Sequence, residues 1–331
     1  MLNHGGRIHA YARQYGISIS EWLDLSTGIN PHGWSVPDFI PSAMWSRLPE
    51  EDDGLIEQAK KYYQCQQILP VAGSQAAIQL LPTLRSACRV AVLAPAYEEH
   101  RHCWQQAGHE VVTLESIELE QQIEQFDVVV VVNPNNPSGE TFDFSRLMNW
   151  YRRLQKHDGW LVVDEAFIDA TPQHSLVLHA PQQGLIVLRS LGKFFGLAGL
   201  RLGFVITHPD LLSQLSDKIG PWPIATASRW IASQALVDKS WQQHTREFLP
   251  QHAQRLAELL HQYHLPPSGG CALFQWVKTP DAASIHHQLA QQGILCRLFD
   301  NPAALRFGLP ATEQDWMRLE NALQQIRHHD R

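Results

Sequence analysis

Between residues 89 and 206, short β-branched and aliphatic runs alternate with amphipathic stretches, and this rhythm restricts the fold more than any other feature. Residues 89–93, 110–113, 127–132, 160–163, 185–188 and 204–206 read as strands, and 98–107 and 144–157 read as helices between them. The third run holds five consecutive valines, Val128 to Val132, so both of its faces are apolar. Apolar strands separated by helices imply a parallel sheet covered on both sides. In such sheets ligands bind beyond the carboxyl ends of the strands, which makes the residues just after each strand the place to look for chemistry.

The regions on either side lack that rhythm. The break Gly220-Pro221-Trp222-Pro223 is expected to close the large domain. A helical stretch over 225–263 follows, then strands at 273–277, 293–297 and 305–308 with helices at 282–292 and 312–328, an α+β pattern. The expected organisation is therefore an N-terminal segment over 1–33 that packs on the small domain or covers the site, a large domain over 34–220 and a small domain over 221–331. At 331 residues the chain is long enough for two cores. Its formal net charge of −7, without a lysine or arginine cluster, argues against nucleic acid. Five scattered cysteines with no C-x-x-C pair suggest neither a disulfide framework nor a zinc site, and reduced thiols fit the cytoplasm. The N-terminus has no signal-peptide core, and the longest strongly apolar run is too short to span a bilayer. A cytosolic enzyme or binding protein acting on a small molecule is expected, with no membrane partner and no metal.

Three polar side chains fall just past expected strands. Asn136, in Asn133-Pro134-Asn135-Asn136-Pro137-Ser138-Gly139, offers a carboxamide that could donate to a phenolate oxygen. Asp164 opens Asp164-Glu165-Ala166-Phe167, and under a pyridine ring its carboxylate would keep the ring nitrogen protonated. Lys193 has a hydroxyl three residues before it, Ser190, and a guanidinium eight residues after it, Arg201. An amine that forms a Schiff base with a phosphorylated aldehyde needs such neighbours to hold the phosphate. The amides of Ser74 and Gln75 open a further helix and could cradle a phosphate, and the Tyr97 ring could stack on a flat cofactor. Taken singly, each has a plainer reading: a proline-rich turn, a helix cap, a surface lysine, a rim tyrosine. Together they converge on one sheet edge in a fixed order.

The Asn-Asn-Pro-Ser-Gly, Asp-Glu-Ala-Phe and Lys-to-Arg motifs make the chain similar, over nearly its whole length, to fold-type I pyridoxal-phosphate enzymes of the aspartate aminotransferase superfamily, in their histidinol-phosphate aminotransferase-like branch. That resemblance implies a large α/β domain with a mostly parallel sheet covered by helices, a smaller α+β C-terminal domain, pyridoxal 5'-phosphate (PLP) as cofactor and a homodimer. It gives Lys193 the role of the lysine that holds the cofactor and acts in catalysis, Asp164 that of the pyridinium partner and Asn136 that of donor to the ring oxygen. Tyr97 matches the stacking aromatic, and Ser74, Gln75, Ser190 and Arg201 match the phosphate cup.

Within that branch, the chain resembles the threonine-phosphate decarboxylase family of cobalamin biosynthesis. Three segments carry this likeness: Asn3-His4-Gly5-Gly6, Leu23-Asp24-Leu25-Ser26-Thr27-Gly28-Ile29-Asn30-Pro31, and Arg47-Leu48-Pro49-Glu50-Glu51-Asp52-Asp53-Gly54-Leu55. It implies decarboxylation of L-threonine O-3-phosphate, with His4, Asn30, Arg297 and Arg306 as substrate-anion ligands. Two positions depart from the pattern. Phe167 stands where many relatives have a tyrosine that donates to the ring oxygen, and Leu48 stands where a tyrosine often reaches the neighbouring subunit's cofactor phosphate. The motif residues serve decarboxylation and transamination alike, so a histidinol-phosphate-type aminotransferase stays open, as does a scaffold without turnover.

Overall fold

The computed structural model describes residues 4–326; residues 1–3, which include Asn3, and 327–331 lie outside the described residues. The chain forms two compact units. One comprises Gly33–Asn136 and Thr141–Arg246; the other comprises the chain up to His32, Pro137–Glu140 and the chain from Glu247 onward.

The larger unit is built on a seven-stranded sheet in the order Leu69–Val71, Gly203–Ile206, Leu185–Ser190, Trp160–Asp164, Val128–Val132, Arg89–Leu93 and Glu110–Leu114. The last five of these run parallel. All five valines of the central strand are buried, as two covered faces require. One core cluster joins Val90, Val128, Val162, Ile186 and Val205 to Trp104, Leu211 and Leu215 from the helices. Helix Phe144–Gln155 shows how the sequence builds such a cover. Asp143 caps its start by accepting from the Arg146 amide at 2.8 Å, and Leu147, Trp150, Tyr151 and Leu154 bury one face at helical spacing.

The sheet departs from the parallel expectation at one edge. Gly203–Ile206 runs antiparallel to Leu185–Ser190, and Leu69–Val71 antiparallel to Gly203–Ile206. The link over 191–202 contains only the short 3₁₀ turn Ala198–Leu200, too little for the crossover that a parallel neighbour needs. The strand Leu69–Val71 went unread because it is three residues long with a proline at its centre, which suits only an edge.

The proline-rich break at 220–223 does not end this unit. The helix expected over 225–263 is two helices, Thr226–Val237 and Lys239–Gln262, parted at Asp238. That carboxylate accepts from the Trp241 amide and from Trp34 Nε1, both at 3.0 Å. Thr226–Val237 stays with the larger unit because it packs on helix Leu55–Tyr63, and its Arg229 grips Asp53 through two hydrogen bonds of 2.6 and 2.7 Å. The division falls instead between Arg246 and Glu247, inside the second helix.

The smaller unit has a four-stranded antiparallel sheet in the order Arg297–Asp300, Ala303–Gly308, Phe274–Lys278 and Gly269–Cys271. A two-stranded parallel sheet pairs Leu23–Asp24 with Ile294–Leu295. The strand expected over 293–297 is thus two strands, each serving a different sheet. Helix Ile8–Tyr15 lays Ala12, with Trp22 beyond it, against Ala290 and Leu295 of this unit. The last helix spans Glu313–Gln325, capped by Thr312; its expected end at 328 lies outside the described residues.

Candidate active site

In the larger unit, Asp164 ends the strand Trp160–Asp164 and is buried. Its Oδ2 lies 2.9 Å from His100 Nε2, and its Oδ1 accepts from the Ala166 amide at 3.0 Å. His100, also buried, is a site residue that sequence reading missed. Its signal was its place in the first turn of helix Glu98–Gln106, three residues after Tyr97. Tyr97 donates its hydroxyl to Gln75 Oε1 at 3.2 Å. Burial, reinforced by the Glu99 and Asp164 carboxylates, pushes its pKa up to about 12, so the phenol stays protonated. Gln75 in turn donates from Nε2 to Glu99 at 2.8 Å. Its side chain is therefore engaged within the protein, and its backbone amide is the part suited to a phosphate.

Helix Ser74–Leu80 opens after Gly73 with no side chain capping its first turn, where amide groups point outward. Gly73 has φ +72°, and a Cβ there would lie 2.7 Å from Arg201 Nη2. Only glycine lets that guanidinium come so close to the backbone just before the helix. Ser190 ends its strand, and its Oγ accepts from the Gly192 amide at 3.2 Å. Lys193 is half-buried, with Nζ 5.4 Å from the centroid of the buried Phe167 ring. Asn136 is half-buried just past Val128–Val132, in a loop whose neighbours are tied down. Asn133 bridges to both backbone groups of Phe142, and Asn135 Nδ2 donates to the Pro95 carbonyl at 2.7 Å. All eight sequence-derived cofactor residues thus belong to one unit. Leu48 is exposed.

The four substrate candidates belong to the smaller unit. Arg306 is buried in Ala303–Gly308 and donates from Nη2 to the Ser26 carbonyl at 2.7 Å. Its guanidinium also lies 5.0 Å from the Phe274 ring centroid. Burial, with the nearby charge of Arg297, pulls its pKa down to about 10. Arg297 stands directly across the ladder, in register with Arg306. Asn30 is buried and accepts from the His32 amide at 2.9 Å. His4 is half-buried; the Gly6 amide two residues on donates to Ser26 Oγ at 2.8 Å, and a Cβ at Gly5 would strike the Ser26 carbonyl. Ser26 thereby links the N-terminal segment to Arg306.

The family model for aminotransferase class I and II matches residues 51–326. The chain belongs to this family. Over 323 residues it is 52% identical to the threonine-phosphate decarboxylase of Pseudomonas aeruginosa, covering 98% of this chain and 97% of that one. It is 40% identical over 327 residues to the threonine-phosphate decarboxylase of a Sinorhizobium species, covering 97% of each. Among solved structures, the histidinol-phosphate aminotransferase from Sinorhizobium meliloti in complex with pyridoxal-5'-phosphate superposes with a TM-score of 0.84 at 20% identity, over 98% of this chain and 95% of that one. That last likeness speaks to the fold alone. The fold is that of the fold-type I transferases, and the cofactor is PLP.

The residues present fit that cofactor. An ionised carboxylate has about four acceptor positions. His100 and the Ala166 amide occupy two on Asp164, which leaves capacity for a ring N–H. The uncapped Ser74 turn, with Arg201 drawn against Gly73, has the donor set of a phosphate cradle.

Proposed function

We propose that this chain decarboxylates L-threonine O-3-phosphate to (R)-1-aminopropan-2-yl phosphate in cobalamin biosynthesis, with PLP as cofactor. The observation that carries this reading is the 52% identity to a threonine-phosphate decarboxylase over nearly the whole of both chains. The arginine pair of the smaller unit supports it. Like charges opposite each other on a ladder destabilise a sheet, and a buried guanidinium loses hydration. Arg297 and Arg306 stand opposite each other in this way and Arg306 is also buried, so a bound substrate anion would favour the pair.

When bound, PLP supplies an electron sink for the bond broken at the substrate Cα. Lys193 provides the amine that anchors it. Asp164, held by His100 and the Ala166 amide, keeps a proton on the ring nitrogen. Asn136 donates to the ring oxygen, a contact that Phe167 cannot share. Ser74, Gln75 through its amide, Ser190 and Arg201 hold the phosphate, and Tyr97 presents its ring. Arg297, Arg306, Asn30 and His4 hold the substrate anion, and their grip decides which Cα bond is oriented for cleavage. With the carboxylate released as carbon dioxide, Lys193, its amine freed by the substrate's own, would be the residue to return a proton to Cα.

The working unit in this reading is a cytoplasmic homodimer. Phe39, Trp45 and Leu48 are 76%, 68% and 61% exposed within one short segment, an apolar display suited to a second copy. All five cysteines are free thiols, as a reducing compartment allows. The activity is tested by offering O-phospho-L-threonine alone and, separately, histidinol phosphate with 2-oxoglutarate. Carbon dioxide from the first is the expected result; amino transfer from the second without gas from the first would replace this reading with an aminotransferase.

A further inference from the structure

A second charge cluster lies beside the strand ends that carry the chemistry, and no step above uses it. Side chains alternate along a strand, and Asp164 is in register with Leu188. Asp164 and Ser190 therefore share one face of the sheet, while Glu165 and Arg189 turn to the other. Arg189 donates from Nη1 to Glu165 Oε2 and to Ser175 Oγ, each at 3.0 Å, and from Nη2 to Asp169 Oδ1 at 2.5 Å. Glu165 also accepts from the Leu176 amide at 2.7 Å and from the Ser175 hydroxyl. The Tyr62 hydroxyl donates to Asp169 Oδ1 at 2.8 Å, and Arg246 donates to Tyr62 Oη at 3.1 Å and to the Asp169 carbonyl at 3.0 Å. The Arg246 guanidinium further lies 5.4 Å from the ring of Phe194, the residue after Lys193.

Stability does not account for this arrangement. Glu165, Asp169 and Arg189 are all buried, and a buried ion cluster is often no more stabilising than apolar packing of the same volume. Asp169 Oδ2 and Arg189 Nε even lack hydrogen-bond partners, a cost that an aliphatic core would avoid. The rest of that sheet face is aliphatic at Leu161, Val163, Leu185 and Val187, all buried. What the cluster does provide is a fixed register. Glu165 continues the strand of Asp164, Arg189 precedes Ser190, and the guanidinium fork ties one strand end to the segment that follows the other.

We propose that Arg189, clamped between Glu165 and Asp169, is a positioning residue that sets the spacing of Asp164 against Ser190 and Lys193. The inference rests on the decarboxylase reading. Displacements of about 1 Å from changes remote from the chemistry can cost on the order of 100-fold in rate, so the effect should appear in turnover before binding.

The test uses PLP-loaded protein and three variants: Glu165→Gln, Arg189→Lys and the charge-free triple Glu165→Gln/Asp169→Asn/Arg189→Met. Folding is followed by far-UV circular dichroism, and the seating of the cofactor by the visible circular dichroism of bound PLP. In Glu165→Gln and in the triple variant, kcat on O-phospho-L-threonine should fall about 10- to 100-fold. KM should stay within about threefold, and the visible band should change amplitude. Arg189→Lys, which keeps the charge but loses the fork, should fall between these and the parent. A folded triple variant with parental kcat and an unchanged band overturns the proposal, as does failure of all three variants to fold, which would make the cluster structural. If the parent itself releases no carbon dioxide, the decarboxylase reading fails, while the visible band still reports on positioning.

Discussion

The two units handle charge in opposite ways. In the larger unit, two buried groups near the strand ends find polar partners within it: Asp164 bonds to His100, and Arg189 bonds to Glu165 and Asp169. In the smaller unit, two arginines face each other across a ladder, and the buried one has its pKa pulled down to about 10 by burial and by its neighbour. An internally matched site is built before its ligand arrives and holds reacting atoms in place. A site carrying excess like charge gains most from the ligand that neutralises it. The first arrangement suits chemistry on a resident cofactor, and the second suits recognition of an anionic substrate.

Substitutions in the two units should therefore fail differently. The largest effect is expected for Lys193→Ala, with kcat lower by on the order of 10⁴-fold or more and loss of the visible absorption of bound PLP. Rate assays and a spectrum of the purified variant check it, and retained turnover would detach the chemistry from the larger unit. Asp164→Asn removes the charge that serves the ring nitrogen and should lower kcat about 10²- to 10³-fold. Its melting temperature should stay near the parental value, because the amide retains hydrogen-bonding capacity toward His100 and the Ala166 amide. Equal losses in turnover and stability would contradict the role assigned to it.

Arg306→Met should act on the other side of the comparison. KM for O-phospho-L-threonine should rise by a factor equivalent to about 2 kcal/mol or more, while affinity for PLP stays within about threefold. Loss of cofactor colour in this variant would erase the distinction between the units. The smallest effect sharpens it. Inorganic phosphate should raise the melting temperature of the PLP-loaded parent by a few degrees, through binding to the native state only, and should leave Arg306→Met unmoved.

The sequence disclosed the larger unit's centre well, because its signals are local. Five apolar strands and their helices can be read from periodicity, and Asn136, Asp164 and Lys193 each lie at or shortly past the carboxyl end of a strand. What stayed hidden depends on partners far along the chain. His100 meets Asp164 across 64 residues, and Arg189 meets Asp169 across 20. Nothing in the spacing marks either pair. The division between the units lies away from the local break for a similar reason. A Gly-Pro-Trp-Pro break is a strong local stop, yet the Arg229–Asp53 pair, 176 residues apart in sequence, keeps the following helix with the larger unit. In the smaller unit, the cross-strand pairing of Arg297 with Arg306 is a matter of register, which the hydrophobic pattern did not fix at the short strands on either side of Cys296.

Borohydride reduction of the PLP-loaded protein, followed by peptide mass mapping, tests the core of this account most directly. A pyridoxyl group on the peptide carrying Lys193, and on no other lysine, is the expected result. A label elsewhere, or none on a protein that still turns over its substrate, would contradict it.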